Sequence, residues 1–308
     1  MASNYTTGLA TFGANVLTPA YLQKLFEDPL HADLVVNPLG KEASLPMSMG
    51  KTVRWNRMNN PTAATTALTE ADPTEATTLT TATVTATLKD YGTFYSYSEF
   101  LELTAIPDTI PEIVSQCGYQ AALTVETLNY QLALTDNTQI DAGLAMTAET
   151  VRTTVATIRG LDAKPHPATP GSAYFAAVMS PEQAYDMMGE GSPTWMQAKN
   201  RDIEAAMTLP WDQSPATSSL YGVLIKTSTV VTTQSASTEE FAYIIGKGNF
   251  GTVNIGPGSP MSPVVIATPP SARVDRPLRD QGTIGWKIYY AAELLNANTG
   301  REIKSDIG

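Results

Sequence analysis

The sequence predicts an α+β protein, with helices and antiparallel strands segregated along the chain. Three observations carry that expectation. Apolar residues recur at three- and four-residue steps from Ile110 to Leu132, the signature of a long amphipathic helix. Short alternating or apolar runs at 52–57, 84–89, 173–179, 222–231, 241–245 and 264–267 read as strands. Between the first two runs lies a stretch rich in Thr, Ala and Pro, which has almost nothing to bury.

Residues from Met1 to about Pro38 read as an arm with one short helix. Thr18-Pro19-Ala20 starts that helix with Pro just inside the cap, and Leu22, Leu25 and Phe26 form its apolar face. Thr52-Val53-Arg54-Trp55-Asn56-Arg57 and Val84-Thr85-Ala86-Thr87-Leu88-Lys89 then alternate in polarity, as half-buried strands do. Paired strands in a compact domain are usually joined by about 2–5 residues; the stretch from Met58 to Thr83 is far longer and has no helical apolar face. Thr favours extended backbone through its β-branch. An arm of this kind gains order by lying on a neighbour, which marks the chain as one tile of an assembly.

The long helix begins near Asp108 or Thr109, with Pro111 and Glu112 in its first turn, where Pro and a carboxylate both suit the helix start. Ile110, Ile113, Val114, Cys117, Ala121, Val125, Leu128 and Leu132 form its buried stripe, and it ends near Asp136-Asn137. A shorter helix spans Ala148 to Arg159, with Gly160 as its stop. Lys164 to Gly171 is a Pro-rich break. Ala173 to Met179 is a buried strand, and Ser180-Pro181-Glu182-Gln183 opens a helix with a cap and a Pro at its first position. A Gly/Pro stretch occupies 256–263. Gly285 to Leu295 satisfies either strand or helix by periodicity.

A chain of 308 residues with 43% hydrophobic content builds a real core, as one elaborated domain or two intimate ones. The net charge of -11 and pI of about 4.6 argue against sequence-specific DNA binding, which needs basic patches. The single Cys117 excludes an internal disulfide framework and a cysteine zinc site, and its helical position reads as a small buried hydrophobe. Neither a signal peptide nor a membrane span is visible. No Lys or Arg occurs between Lys89 and Arg152, whereas nine carboxylates do. That stretch is either a solvated acidic face or a wall that repels an anion.

Catalytic signals are weak. Gly246-Lys247-Gly248-Asn249-Phe250-Gly251 matches a dinucleotide fingerprint, but strand and turn follow it rather than the helix that would hold a pyrophosphate; it reads as a tight turn. His31 and His166 have no nucleophile or carboxylate at a catalytic spacing. The segment 136–141 lacks the Gly and terminal Glu of a calcium loop. The sequence therefore predicts no catalytic residue, cofactor or metal.

Several blocks together resemble the major capsid proteins of N-four-type podoviruses. They are Lys51 to Trp55 with Pro61 to Thr69, Glu70 and Pro73; Val84 to Gly92; Ser180 to Asp186 with Pro193-Thr194-Trp195; and, most specifically, Asp275 to Lys287 continuing through Tyr290 to Asn296. They lie in the family's order from about Tyr21 to Ile303, and 209–219 and 235–240 are the least similar parts, read as surface loops. The resemblance implies the Hong Kong-97-like capsid fold: an N-terminal arm (1–38), an extended hairpin loop (39–92), a peripheral domain with a spine helix (93–168), an axial domain (169–268) and a return to the peripheral domain (269–308). The Pro-rich break and Pro269-Pro270 are the expected crossings between the two domains.

The implied function is mechanical, not enzymatic. Copies assemble as pentamers and hexamers in the host cytoplasm into the icosahedral virion capsid around double-stranded DNA. Some relatives carry a long N-terminal scaffolding segment; this chain begins almost at the arm, so a separate scaffolding protein is expected, with a portal and a possible cement protein. An encapsulin-like nanocompartment shell is the alternative, and a Thr-rich surface β protein is a third reading. Arg54 and Arg57 are candidates for intersubunit ion pairs. Trp55 is either an intersubunit anchor or buried in its own subunit. Arg273, Arg276 and Arg279, alternating with Asp275 and Asp280, form a charged network at an interface or within the subunit. Glu112 and Glu126 are candidates for an acidic inner face that keeps DNA from adhering.

Overall fold

The computed structural model describes residues 34–45, 50–65, 67, 78–104, 109–136, 139–143, 145–169, 173–187, 221–231, 239–255, 264–270, 278 and 280–306. The expected arm helix at 18–26, Pro193 to Trp195, the segments 209–219, 235–238 and 256–263, and His31 lie outside the described residues.

Strand β1 (Lys41–Leu45) follows a 3-10 turn (Asn37–Leu39). The strands β2 (Thr52–Met58) and β3 (Thr81–Thr87) form a two-stranded antiparallel ribbon, and β4 (Lys89–Ser98) leads from it into α1 (Glu99–Thr104). The long helix α2 (Thr109–Asp136), β5 (Gln139–Asp141), α3 (Ala148–Gly160), β6 (Phe175–Met179) and α4 (Pro181–Met187) come next. Then follow β7 (Val223–Thr227), β8 (Glu239–Ile245), β9 (Phe250–Ile255), β10 (Val264–Thr268), β11 (Gln281–Leu294) and β12 (Gly300–Asp306).

Two five-stranded sheets organise the body. The first has the order β1-β9-β11-β10 with β4 also paired to β11. The second has the order β5-β12-β8-β6-β7. The segment whose periodicity fitted helix or strand is β11, the central strand of the first sheet. One edge takes β4 from Gln281 to Tyr290; the other takes β10 from Thr283 to Lys287 and then β9 from Tyr290 to Leu294. Its Ile284, Trp286, Ile288 and Tyr290 alternate onto the face that meets Val114, Cys117, Ala121 and Val125 of α2. Burying each large apolar side chain here contributes about 1.5–3 kcal/mol.

Both faces of the second sheet are covered. Helices α3 and α4 supply Val151, Val155, Ile158, Ala184 and Met187 to one face, and Tyr130 of α2 meets Ala176, Val178 and Ile245 on the other. Strand β6 is consequently buried at all of its residues, Phe175 to Met179, and reads as a continuous apolar run. The helix α2 therefore spans both sheets, its N-terminal half on the first and its C-terminal half on the second.

Several local expectations hold at the atomic level. Ser180 caps α4: its hydroxyl accepts from Gln183 N at 2.9 Å, while Gln183 Oε1 accepts from Ser180 N at 3.2 Å. The glycine-rich segment after β8 is a tight turn with Gly248 at φ 70, and β9 follows it directly. Other expectations change. Helix α3 includes Gly160, and the left-handed residue after it is Asp162 at φ 57. The run 222–231 divides into β7 and a 3-10 turn at Thr229–Val231. Glu239 and Glu240 belong to β8 rather than to a surface loop, and Glu240 is buried. The chain passes between the sheets at the end of α2, at the β8–β9 turn and between β11 and β12. Strand pairing decides these passages between the sheets.

Candidate assembly surfaces

Among the described residues the ribbon is anchored at its root. Val53 and Trp55 of β2 join Leu45, Ala86, Leu88, Val253 and Ala291 in a small apolar cluster. Trp55 fits because position 251 is glycine: a Cβ there would lie 2.9 Å from Trp55 Cζ2. Trp55 is thus half-buried against its own subunit. Beyond it the ribbon runs outward with polar ties, Asn56 Oδ1 accepting from Thr83 Oγ1 at 3.1 Å and Thr80 Oγ1 accepting from Asn59 Nδ2 at 3.0 Å.

Arg54 and Arg57 are exposed on β2, and strand alternation sends them to opposite faces of the ribbon. One neighbouring carboxylate cannot serve both. Among the described residues neither has an ion-pair partner. Arg57 shares the Trp55 face and lines a cleft at the ribbon's root.

The acidic candidates separate sharply. Glu112 is exposed in the first turn of α2. Glu126 is 1% exposed, so it is no surface charge and leaves the candidate inner-face wall. The helical stripe places it among apolar neighbours, where its carboxylate accepts from Val35 N and, at 2.9 Å, from Val36 N. Burial pushes its pKa up to about 7, partly offset by these amide donors and by Lys226. One turn on, Tyr290 Oη lies 2.7 Å from Asn129 Oδ1 and 2.8 Å from Asn37 Oδ1. The carboxylate and this hydroxyl fasten residues 35–37 to α2. Other acids of the same stretch are paired: Asp90 with Lys287 at 2.7 Å, and Glu149 with Arg152.

Asp280 is exposed beside the start of β11, and its carbonyl accepts from Glu99 N at 3.0 Å. Arg273, Asp275, Arg276 and Arg279 lie outside the described residues. His166 is buried; its ring Nε2 faces Leu39 O at 2.8 Å and its Nδ1 accepts from Ala168 N at 3.1 Å. Burial holds its pKa down, so it is a neutral structural fastener. Burial also pushes the Cys117 thiol up to about 11. Among the described residues no three metal-ligating side chains cluster.

One surface was not foreseen. The first sheet carries α2 on one face only. The opposite face displays Phe94, Val264, Ile266 and Tyr289, exposed by 72%, 50%, 54% and 39%. Lys287 lies over the Tyr289 ring, 4.8 Å from its centroid. An apolar sheet face left open in this way is a place where a second chain gains by covering it. The signal in the sequence is the apolar character of Val264 and Ile266 as well as Val265 and Ala267, which leaves β10 with no polar side.

No family model matches the chain, and no curated protein matches it. Solved structures do. The capsid of the cyanophage P-SCSP1u superposes with a TM-score of 0.61 at 14% identity, covering 88% of this chain and 87% of that one. The capsid of Ralstonia phage GP4 gives a TM-score of 0.64 at 9% identity, covering 89% and 88%. A virus-like particle from Pyrococcus furiosus gives 0.55 at 9% identity, covering 92% and 97%. With its two sheets, its bridging helix and its projecting ribbon, this chain has the Hong Kong-97-like capsid fold.

Proposed function

We propose that the chain is the major capsid protein of a tailed bacteriophage, whose copies tile an icosahedral shell around double-stranded DNA. The observation that carries this reading is a capsid fold covering about nine-tenths of the chain. The ribbon and the exposed apolar residues on the first sheet support it, since both present side chains that the described residues leave exposed. The first sheet with α2 corresponds to the peripheral domain and the second sheet to the axial domain. The ordered sequence blocks assign the chain to the N-four-type podoviruses.

In this reading subunits meet head to tail in pentamers and hexamers, each ribbon lying over the next copy. Obligate interfaces of this kind bury more than about 2,000 Å². A scaffolding protein directs assembly, a portal occupies one vertex, and the product is the virion capsid. Exposed Glu112 belongs to a surface that repels DNA; Glu112→Lys then alters genome packaging while shells still form.

Cryo-electron microscopy of the purified chain, with and without co-expressed scaffold, tests the reading. Icosahedral shells, or rings of five or six, are the expected result. A monomer in both preparations at high concentration refutes it. The virus-like particle match favours a second reading, an encapsulin-like nanocompartment. Shell contents separate the two: packaged DNA for the phage shell, an enclosed protein cargo for the nanocompartment.

A further inference from the structure

The ribbon's root borders a cleft of about 670 Å³. Lys41, Arg57, Lys164 and Lys247 line it, and among the described residues no Asp or Glu does. All four cations are exposed, and they come from separate parts of the chain: β1, β2, the segment after α3 and the β8–β9 turn. The whole chain carries 19 Lys and Arg against 30 Asp and Glu, so an average patch of its surface is acidic. Among the described residues none of the four has an ion-pair partner. Trp55 supplies an apolar wall, and burial disfavours the charged form of His166. Four like charges held together repel one another, which costs stability unless an anion joins them.

We infer that this cleft receives the acidic connection between β2 and β3, residues 59–80, from a second copy of the chain. The inference rests on the shell reading. That connection carries Glu70, Asp72 and Glu75, and no Lys or Arg occurs between Arg57 and Lys89. A connection of this length, if doubled back, can span at most roughly 35 Å, enough to reach a neighbouring subunit. Head-to-tail closure places one patch of each copy against a different patch of the next, so an acidic projection and a basic cleft on one chain are complementary across every contact in a ring. Such charge complementarity fixes register and speeds encounter more than it adds affinity.

Charge reversal tests this. One variant carries Lys164→Glu and Lys247→Glu, a second carries Glu70→Lys and Glu75→Lys, and a third carries all four. Assembly with scaffold is followed by light scattering and cryo-electron microscopy, and thermal melting is measured on the unassembled chain. The expected result is assembly slowed about tenfold or more in each two-site variant and restored to within about threefold in the combined one, with melting unchanged. Raising salt from 0.1 to 1 M, which shortens the screening length from about 10 to 3 Å, then slows the parent as well. Assembly of both two-site variants at the parent rate overturns the inference. So does a defect appearing as lowered melting of the unassembled chain, which means docking within one copy. Loss of retained nucleic acid with normal assembly also overturns it and assigns the cleft to phosphate. If the parent itself forms no assembly, the shell reading falls instead.

Discussion

The first sheet and the ribbon are built from similar strands but stand on different physics. Strand β11 is paired on both edges, and α2 covers one of its faces with a stripe of fully buried side chains. Among the described residues the ribbon has two strands and one apolar cluster, where its root meets Leu45, Val253 and Ala291 of the first sheet. An isolated two-stranded hairpin is at best marginally stable in water. The body is therefore held by what it buries within one chain, whereas the ribbon is held at Trp55 and offers the rest of its surface to something else. A chain can fold as a subunit with the first and assemble with the second.

Substitutions break this comparison most sharply in the body. Ile288 is fully buried between β11 and α2. Ile288→Ala is expected to cost about 2–5 kcal/mol, read as a lower denaturant midpoint of the unassembled chain. A loss below about 1 kcal/mol means that α2 does not rely on this sheet.

Glu126 gives the next effect, and it has a sign in pH. Its pKa in the folded chain is about 7, above the ordinary 4.5. The folded state thus holds the proton more tightly than the unfolded chain does. Stability from this group is fully present below about pH 4.5 and is lost as pH rises through about 7. Glu126→Gln removes that dependence, and the difference from the parent should approach roughly 3 kcal/mol across the window. Melting curves of both proteins between pH 4.5 and 8 decide it; parallel curves count against a buried, proton-binding Glu126.

Tyr290→Phe removes the hydroxyl shared by Asn37 and Asn129, leaving buried amide oxygens without it. The expected loss is about 1–3 kcal/mol, with faster hydrogen exchange at residues 35–37, which the same network holds. Unchanged exchange there separates the network from the fastening of that segment. The smallest effect on folding belongs to the ribbon. Thr83→Ala is expected to move the stability of the unassembled chain by no more than about 0.5 kcal/mol. Replacing β2 residues Arg54 and Arg57 by Ala should leave melting equally unmoved while lowering shell yield. A fall in melting as large as that of Ile288→Ala erases the distinction between the two regions.

Much of the body is legible in the sequence because one period decides it. The stripe of α2 from Ile110 to Val125 is buried as its spacing requires, the Ser180–Gln183 cap forms, and β6 is as buried as its apolar run demands. The two ribbon strands are legible for the same reason. Strands β1, β4, β5 and β12 were not foreseen, because each is short or polar and becomes a strand through its partner: β1 through β9, β4 through β11, β5 through β12, and β12 through β8. The candidate surfaces follow the same division. Glu126 is indistinguishable from Glu112 as a letter in an acidic stretch, and only the fold sets one in the core and the other in water.

The sequence by itself determined which segments are helix and strand where apolar periodicity is strong, and it determined that one polar, Thr-rich connection has almost nothing to bury. Both are local properties, set by side-chain spacing over one element. The tertiary structure decided that the ambiguous segment 285–295 is a strand, that Trp55 seats against Gly251, that four cations meet in one cleft and that Phe94, Val264 and Ile266 stay exposed on one sheet face. Each of these depends on residues far apart in the chain being brought within a few ångströms, and no local period encodes which distant partner will be there.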